Sequence, residues 1–304
     1  MSGGNETPFW RARWVIRARG GWTLPALPHA VLYALLCDAA RGEHADGLAH
    51  MPEGMLLDAP ETERGTVAAG ESFAFGATLI EADPTRAARL LHTLSRGLTR
   101  LGATRPERPV ALGGNFELVE VQDAVAGRSV APGQAFQALS RGSISDEIDR
   151  LGGRDDPTLT LHFLSPLRLE LPGCDATEGH RYADGSRVVV GQLLRAVQKR
   201  LAAVGIRRAA GEPDAPFDDA ALALVENRLT WVDLEYGRRD RRKTLGGSVG
   251  RLRVSVPDPS ARAALVWGQS TRVGRNLHFG FGHYRIEELG PDPTACRRTG
   301  TRTE

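Results

Sequence analysis

Eight histidines are spread along the 304 residues of the chain. Imidazole, with an unperturbed pKa of about 6.5, is the side chain best suited to move protons near neutral pH. His29, His44 and His50 fall within or just after one apolar segment near the N-terminus (PHAVLYALLCDAARGEHADGLAH). A second stretch with chemical potential is Gly268–Glu287, GQSTRVGRNLHFGFGHYRIE. Its glycines permit positive φ and can leave backbone N–H groups open to a phosphate oxygen. Arg272 and Arg275 would bracket such an oxygen around Gly274. Gly280 and Gly282 suit a strand packed closely on a helix equally well. A third stretch is the run Arg238, Arg239, Arg241, Arg242, Lys243, broken only by Asp240. It fits forked guanidinium contacts to phosphates, or a solvated turn between strands.

Other chemistries have less to build on. No Ser/His/Asp set, phosphate-loop signature or dinucleotide fingerprint is present. Cys37, Cys174 and Cys296 are too scattered for a disulfide framework or a metal-binding spacing. The pairs Asp155-Asp156 and Asp218-Asp219 read as helix caps or solvated loops, so no metal or cofactor is expected. Net charge is only +2, but Lys199 and Lys243 are the only lysines, so a basic surface would be an arginine surface. The longest apolar stretch, Ala30–Ala40, is too short to span a bilayer, and no secretory signal is visible, so a cytoplasmic location is expected.

The elements that must hold these residues alternate along the chain. Trp10–Arg19 alternates apolar and basic residues as a strand does. Leu27–Arg41 has helical spacing. Glu71–Glu81 reads as a strand, Asp83–Leu101 as a helix capped by Asp83 with Pro84 behind it, and Asn115–Val121 as a strand. Residues 126–156 carry little periodic signal and read as linker or insertion. The order then recurs: strand Thr158–Leu171, helix Ser186–Val204, strands near Leu222–Tyr236 and Ser248–Val256, a short helix Pro259–Trp267 and a strand His278–Glu287. These spans predict an α+β protein of two tandem ferredoxin-like (RRM-like) domains, with antiparallel sheets and helices on one face. The domains are expected at 1–125 and 157–290, with a disordered tail at 291–304.

The stretch Gly268–Glu287 resembles the glycine-rich loop and GFG-x-Y strand of the RAMP superfamily. In particular it is similar to the CRISPR-associated endoribonucleases of the sixth-numbered family, which process precursor guide RNA. Leu161–Glu170 (LHFLSPLRLE), Gly237–Arg251 (GRRDRRKTLGGSVGR) and Gly70–Ile80 (GESFAFGATLI) resemble further stretches of that family in the same order. The match touches both halves and is strongest over residues 158–287.

The resemblance implies metal-independent cleavage of CRISPR repeat RNA by the adjacent 2′-hydroxyl, leaving a 2′,3′-cyclic phosphate and a 5′-hydroxyl. It places the catalytic histidine at or just after the end of the first helix, which points to His44, then His50, then His29, with Tyr33 as a helper. Some relatives use a lysine there. This chain has none in its first half, and Arg41 could supply the charge. The resemblance also implies RNA contacts from Arg238, Arg239, Arg241, Arg242, Lys243, Arg272, Gly274, Arg275, Gly280 and Gly282. Expected partners are precursor and mature guide RNA, with room for a homodimer and for other CRISPR effector subunits. His92 and His180 read as ordinary helix and loop residues. His162, His278 and His283 fall on predicted strands, as packing residues or RNA contacts. The rival reading is a RAMP subunit that binds guide RNA without cutting it. A third is a ferredoxin-like enzyme acting on a small phosphorylated molecule.

Overall fold

β1 (Phe9–Ala18) shows how alternation becomes structure. Successive strand residues face opposite sides. Trp10, Ala12, Trp14, Ile16 and Ala18 are buried together in the first core, and Arg13 and Arg17 are exposed. The computed structural model describes residues 9–25, 27–41, 51–52, 54–59, 65–103, 111–139, 141–152, 156–171, 181–206, 221–236 and 243–287.

After β1 come α1 (His29–Arg41), β2 (Met55–Asp58), β3 (Ser72–Ile80), α2 (Pro84–Ala103) and β4 (Phe116–Asp123). The strands pair antiparallel in the order β2-β3-β1-β4; the two-residue strand Arg128–Ser129 pairs with β4 and Ala138–Leu139 with the start of β1. A βαββαβ chain whose first and third strands lie centrally is ferredoxin-like. The Asp83 carboxylate accepts from the Thr85 amide at 2.8 Å and starts α2, with Pro84 in its first turn. Trp14 Nε1 donates to Ser95 Oγ at 2.9 Å, which ties β1 to α2.

The second half repeats the plan with β5 (Thr158–Leu167), α4 (Val190–Ala203), β6 (Ala223–Tyr236), β7 (Lys243–Ser255), α5 (Pro259–Thr271) and β8 (Tyr284–Glu287). Its antiparallel order is β6-β7-β5-β8, the same arrangement. Between the halves lies α3 (Arg141–Gly152), whose Ile144 and Leu151 are buried in the second core. Three elements differ from the sequence expectation, among them α3, which lies in the span expected to be a linker or insertion. β2 was not anticipated. The last strand starts at Tyr284, because Leu277–Phe279 forms a 3-10 turn ending at Gly280 with φ 90°. His278 therefore lies on a turn, and His283 just before the strand.

The halves share an apolar seam. Phe9, Leu56 and Ile80 of the first sheet lie in the same buried cluster as Leu161, Leu194 and Leu265 of the second half. The Phe9 and Trp267 rings stand 6.0 Å apart. Among the described residues no helix is long and apolar enough to cross a membrane.

α1 and α2 approach closely at Gly97, where an added Cβ would lie 2.3 Å from the Ala39 carbonyl oxygen. Helix propensity alone favours Gly97→Ala by about 1 kcal/mol. The close approach predicts the opposite sign, a loss of about 1–3 kcal/mol. Denaturant unfolding of the variant decides between them, and a rise in stability would contradict this packing.

Candidate active site

The first turn of α1 is tucked under the glycine-rich loop. His29 is 1% exposed, with its ring edge-on to Phe281 (centroids 6.1 Å, planes 86° apart). Neither ring nitrogen has a hydrogen-bond partner. Burial, with the charges of Arg272 and His283, pushes its pKa down to about 3. His29 is thus buried and neutral in the folded chain. His44 and His50 lie outside the described residues.

Further along α1, Tyr33, Cys37 and Arg41 recur every four residues and so share the face that begins with His29. Tyr33 packs on Phe279 (4.6 Å between centroids) and His278 (5.3 Å). Burial, and then the neighbouring Cys37, raise its hydroxyl pKa to about 12, so it remains a proton donor at neutral pH. Burial likewise pushes the Cys37 thiol up. His278 is exposed on its turn, and its partial burial lowers its pKa, which favours a neutral imidazole. Arg41 ends the helix, exposed, with Nη1 on Asp38 at 3.0 Å. A neutral phenol and a neutral imidazole therefore stand together beside α1, and a guanidinium stands at its end. These groups can donate and accept protons and can stabilise an anion.

Arg272 departs most from its sequence reading. It was expected at a phosphate, yet it is 1% exposed and has φ 62°. Its Nη1 donates to the Leu57 carbonyl at 2.5 Å, and its Nη2 pairs with Asp58. The other Asp58 oxygen accepts from the Thr78 hydroxyl at 3.0 Å. Burial pushes the Asp58 carboxyl up. Arg272, with His283, Arg11 and the Thr78 hydrogen bond, outweighs it and holds the carboxyl below the usual range. Arg272 is thus a bridge from the second half to β2. Its partner stands 214 residues away, so no local pattern could have revealed it.

The glycines serve the same closure. A Cβ on Gly280 would lie 2.5 Å from the Leu57 oxygen and 3.1 Å from the His29 ring. One on Gly282 would meet the Val273 oxygen at 1.8 Å, and one on Gly274 the Arg168 oxygen at 2.5 Å. Several loop amides are already used: Arg275 N–H donates to Arg168, Gly280 N–H to Leu277 and Gly282 N–H to Pro166. Close packing accounts for Gly274, Gly280 and Gly282. Arg275 is exposed, with its guanidinium on Glu170, which Arg181 also binds. Arg238, Arg239, Arg241 and Arg242 lie outside the described residues. Lys243 opens β7, exposed and opposite Tyr236. Among the described residues no His/Cys/Asp/Glu group could hold a metal ion.

No protein-family model matches the sequence, and no curated protein matches it. Solved structures do. Over 92% of its length the chain matches a chain of a partial Cas6-RT-Cas1–Cas2 complex, at 16% identity and TM-score 0.67, and spans 46% of that longer chain. It matches Thermus thermophilus Cas6 over 93% of this chain and 99% of that one, at 15% identity and TM-score 0.51. It also matches a RAMP protein described as binding different RNA substrates, over 92% of this chain and 100% of that one, at 11% identity and TM-score 0.51. The chain has the tandem ferredoxin-like fold of these Cas6 and RAMP structures.

The buried His29 carries a pH signature. From about pH 6.5 down to 3 the unfolded chain binds a proton on this ring that the folded chain excludes. Stability is therefore fully present above 6.5 and falls with pH by about 1.4 kcal/mol per unit. His283, pushed down to about 4 by burial and then by Arg272, acts in the same direction. Unfolding free energies of His29→Phe should accordingly fall less between pH 6.5 and 4.5 than those of the unsubstituted protein. Parallel curves would show that the ring takes up protons in the folded state.

Proposed function

We propose that this protein is a metal-independent endoribonuclease that cuts CRISPR repeat RNA to generate guide RNAs. The supporting observation is a conjunction: the fold of Cas6 structures runs along nearly the whole chain, and α1 leads directly from Tyr33 and Arg41, beside His278, into the segment that holds His44 and His50. In this reading a base removes the proton of a 2′-hydroxyl, whose oxygen attacks the adjacent phosphorus. The 5′-oxygen leaves and takes a proton, so the products end in a 2′,3′-cyclic phosphate and a 5′-hydroxyl. His44 supplies the base or the acid, Tyr33 a neutral O–H, and Arg41 positive charge beside the phosphorane. The run Arg238–Lys243, between the paired ends of β6 and β7, holds the RNA backbone. The partners are repeat RNA, its processed product and other CRISPR subunits.

His44→Ala should slow single-turnover cleavage of repeat RNA by about a hundred- to ten-thousand-fold, the usual contribution of a general acid or base, with little change in Kd. A repeat with 2′-deoxyribose at the scissile nucleotide should bind and stay whole, and EDTA should leave the rate unchanged. Unimpaired cleavage by His44→Ala with loss in His50→Ala would move the role to His50. Repeat RNA that is bound but never cut would favour the non-cutting RAMP subunit, and cleavage of the deoxy substrate would exclude the mechanism.

A further inference from the structure

The second sheet packs one face on α4 and α5 through Leu161, Phe163, Leu252 and Val254. The alternate residues stand on its other face, and the registers set them in rows across the strands. Arg228 of β6 is directly opposite Arg251 of β7, Arg251 is opposite His162 of β5, and His162 is opposite Arg285 of β8. One row thus crosses all four strands with three arginines and a histidine. Like charges directly opposite each other on neighbouring strands destabilise a sheet.

The next row offsets it only in part. It runs Glu226, Arg253, Thr160, Glu287. Glu287 accepts from Arg251 Nε at 2.9 Å and pairs with His162 Nδ1 at 2.8 Å, while Glu226 pairs with Arg228. Four arginines face two glutamates. Arg253 Nε and Thr160 Oγ1 are buried without a hydrogen-bond partner. Arg228, Arg251 and Arg285 are exposed.

We propose that this face binds the phosphodiester backbone of single-stranded RNA, as a site separate from the α1 junction. Repulsion among the row is relieved when phosphates lie between the guanidiniums. The row covers three inter-strand gaps, about 14 Å at ~4.8 Å each, which suits an extended strand laid across the sheet. Sheets that read RNA bases do so with stacked aromatic rings. Neither row contains Phe, Tyr or Trp, and the one imidazole, His162, is paired with Glu287, so the contact is with phosphates and independent of sequence. The face is also continuous with the candidate active site. Alternate residues of β6 carry it from Arg228 to Leu234, which packs with Phe281 and, from the first turn of α1, Ala30. The choice of RNA over another polyanion rests on the proposed function, and the experiment separates the two.

The test is binding of the full chain to a short oligouridylate, titrated at several salt concentrations. Each phosphate contact to a single strand adds about −0.7 to the log–log salt slope. The double variant Arg251→Gln, Arg285→Gln should therefore bind more weakly, with a slope flatter by about 1.4. Glu287→Gln, which frees Arg251 from its carboxylate, should bind more tightly, an outcome that misfolding cannot produce. Unchanged affinity and slope in a double variant that melts normally would overturn the proposal. So would an equal loss against a polyglutamate peptide, which would mark an acidic protein partner. Repeat RNA left uncut by a protein that binds oligouridylate through these arginines would count against the proposed cleavage alone.

Discussion

A buried guanidinium bridges the two halves of this protein beside their apolar seam. Arg272 reaches from the end of α5 to the Leu57 carbonyl and the Asp58 carboxylate of β2. Removing an arginine from water costs several kcal/mol unless hydrogen bonds and an opposite charge replace the solvent. The positive φ adds strain of about 1–3 kcal/mol. Both costs are met only in the closed arrangement. There Gly280 lets the loop lie against Leu57 and His29, and Phe281 covers the imidazole. Breaking the bridge would leave Asp58 and Arg272 as uncompensated charges at an apolar seam.

The rest of the site follows from this closure. The loop that carries Arg272 also carries His278 and Phe279, and these are the rings against which Tyr33 rests. The surroundings of Tyr33 are thus built from both halves. The glycines are better understood as what allows close contact than as phosphate ligands, since several of their neighbouring amides are already bonded within the protein. Exposed positive charge lies elsewhere, on Arg228, Arg251 and Arg285 of the second sheet. A net charge of only +2 does not reveal this local grouping of arginines.

Where the sequence carried a strong period, it predicted the element. The alternation of β1 and the spacing of α2, with its Asp83 cap, appear in the structure within a few residues of the expected ends. β2 escaped notice because its four residues, MLLD, are too few to show a period, and its first three are all buried. α3 escaped because RGSISDEIDRLG exposes most of its surface and packs by Ile144 and Leu151. The candidate site could be read only in part. The face of α1 with Tyr33 could be found from helical spacing. The burial of His29 and the recruitment of Arg272 by Asp58 depend on contacts between residues about 200 positions apart.

The account depends most on the Arg272–Asp58 bridge, and a double-mutant cycle measures it directly. Unfolding free energies of Arg272→Met, Asp58→Asn and the double variant, each against the unsubstituted chain, give the coupling. Contacting groups in one buried network couple by about 0.5–3 kcal/mol, and the bridge predicts the upper half of that range, with the double variant less destabilised than the sum of the singles. Additivity within about 0.5 kcal/mol would show that the halves are not held together through this pair.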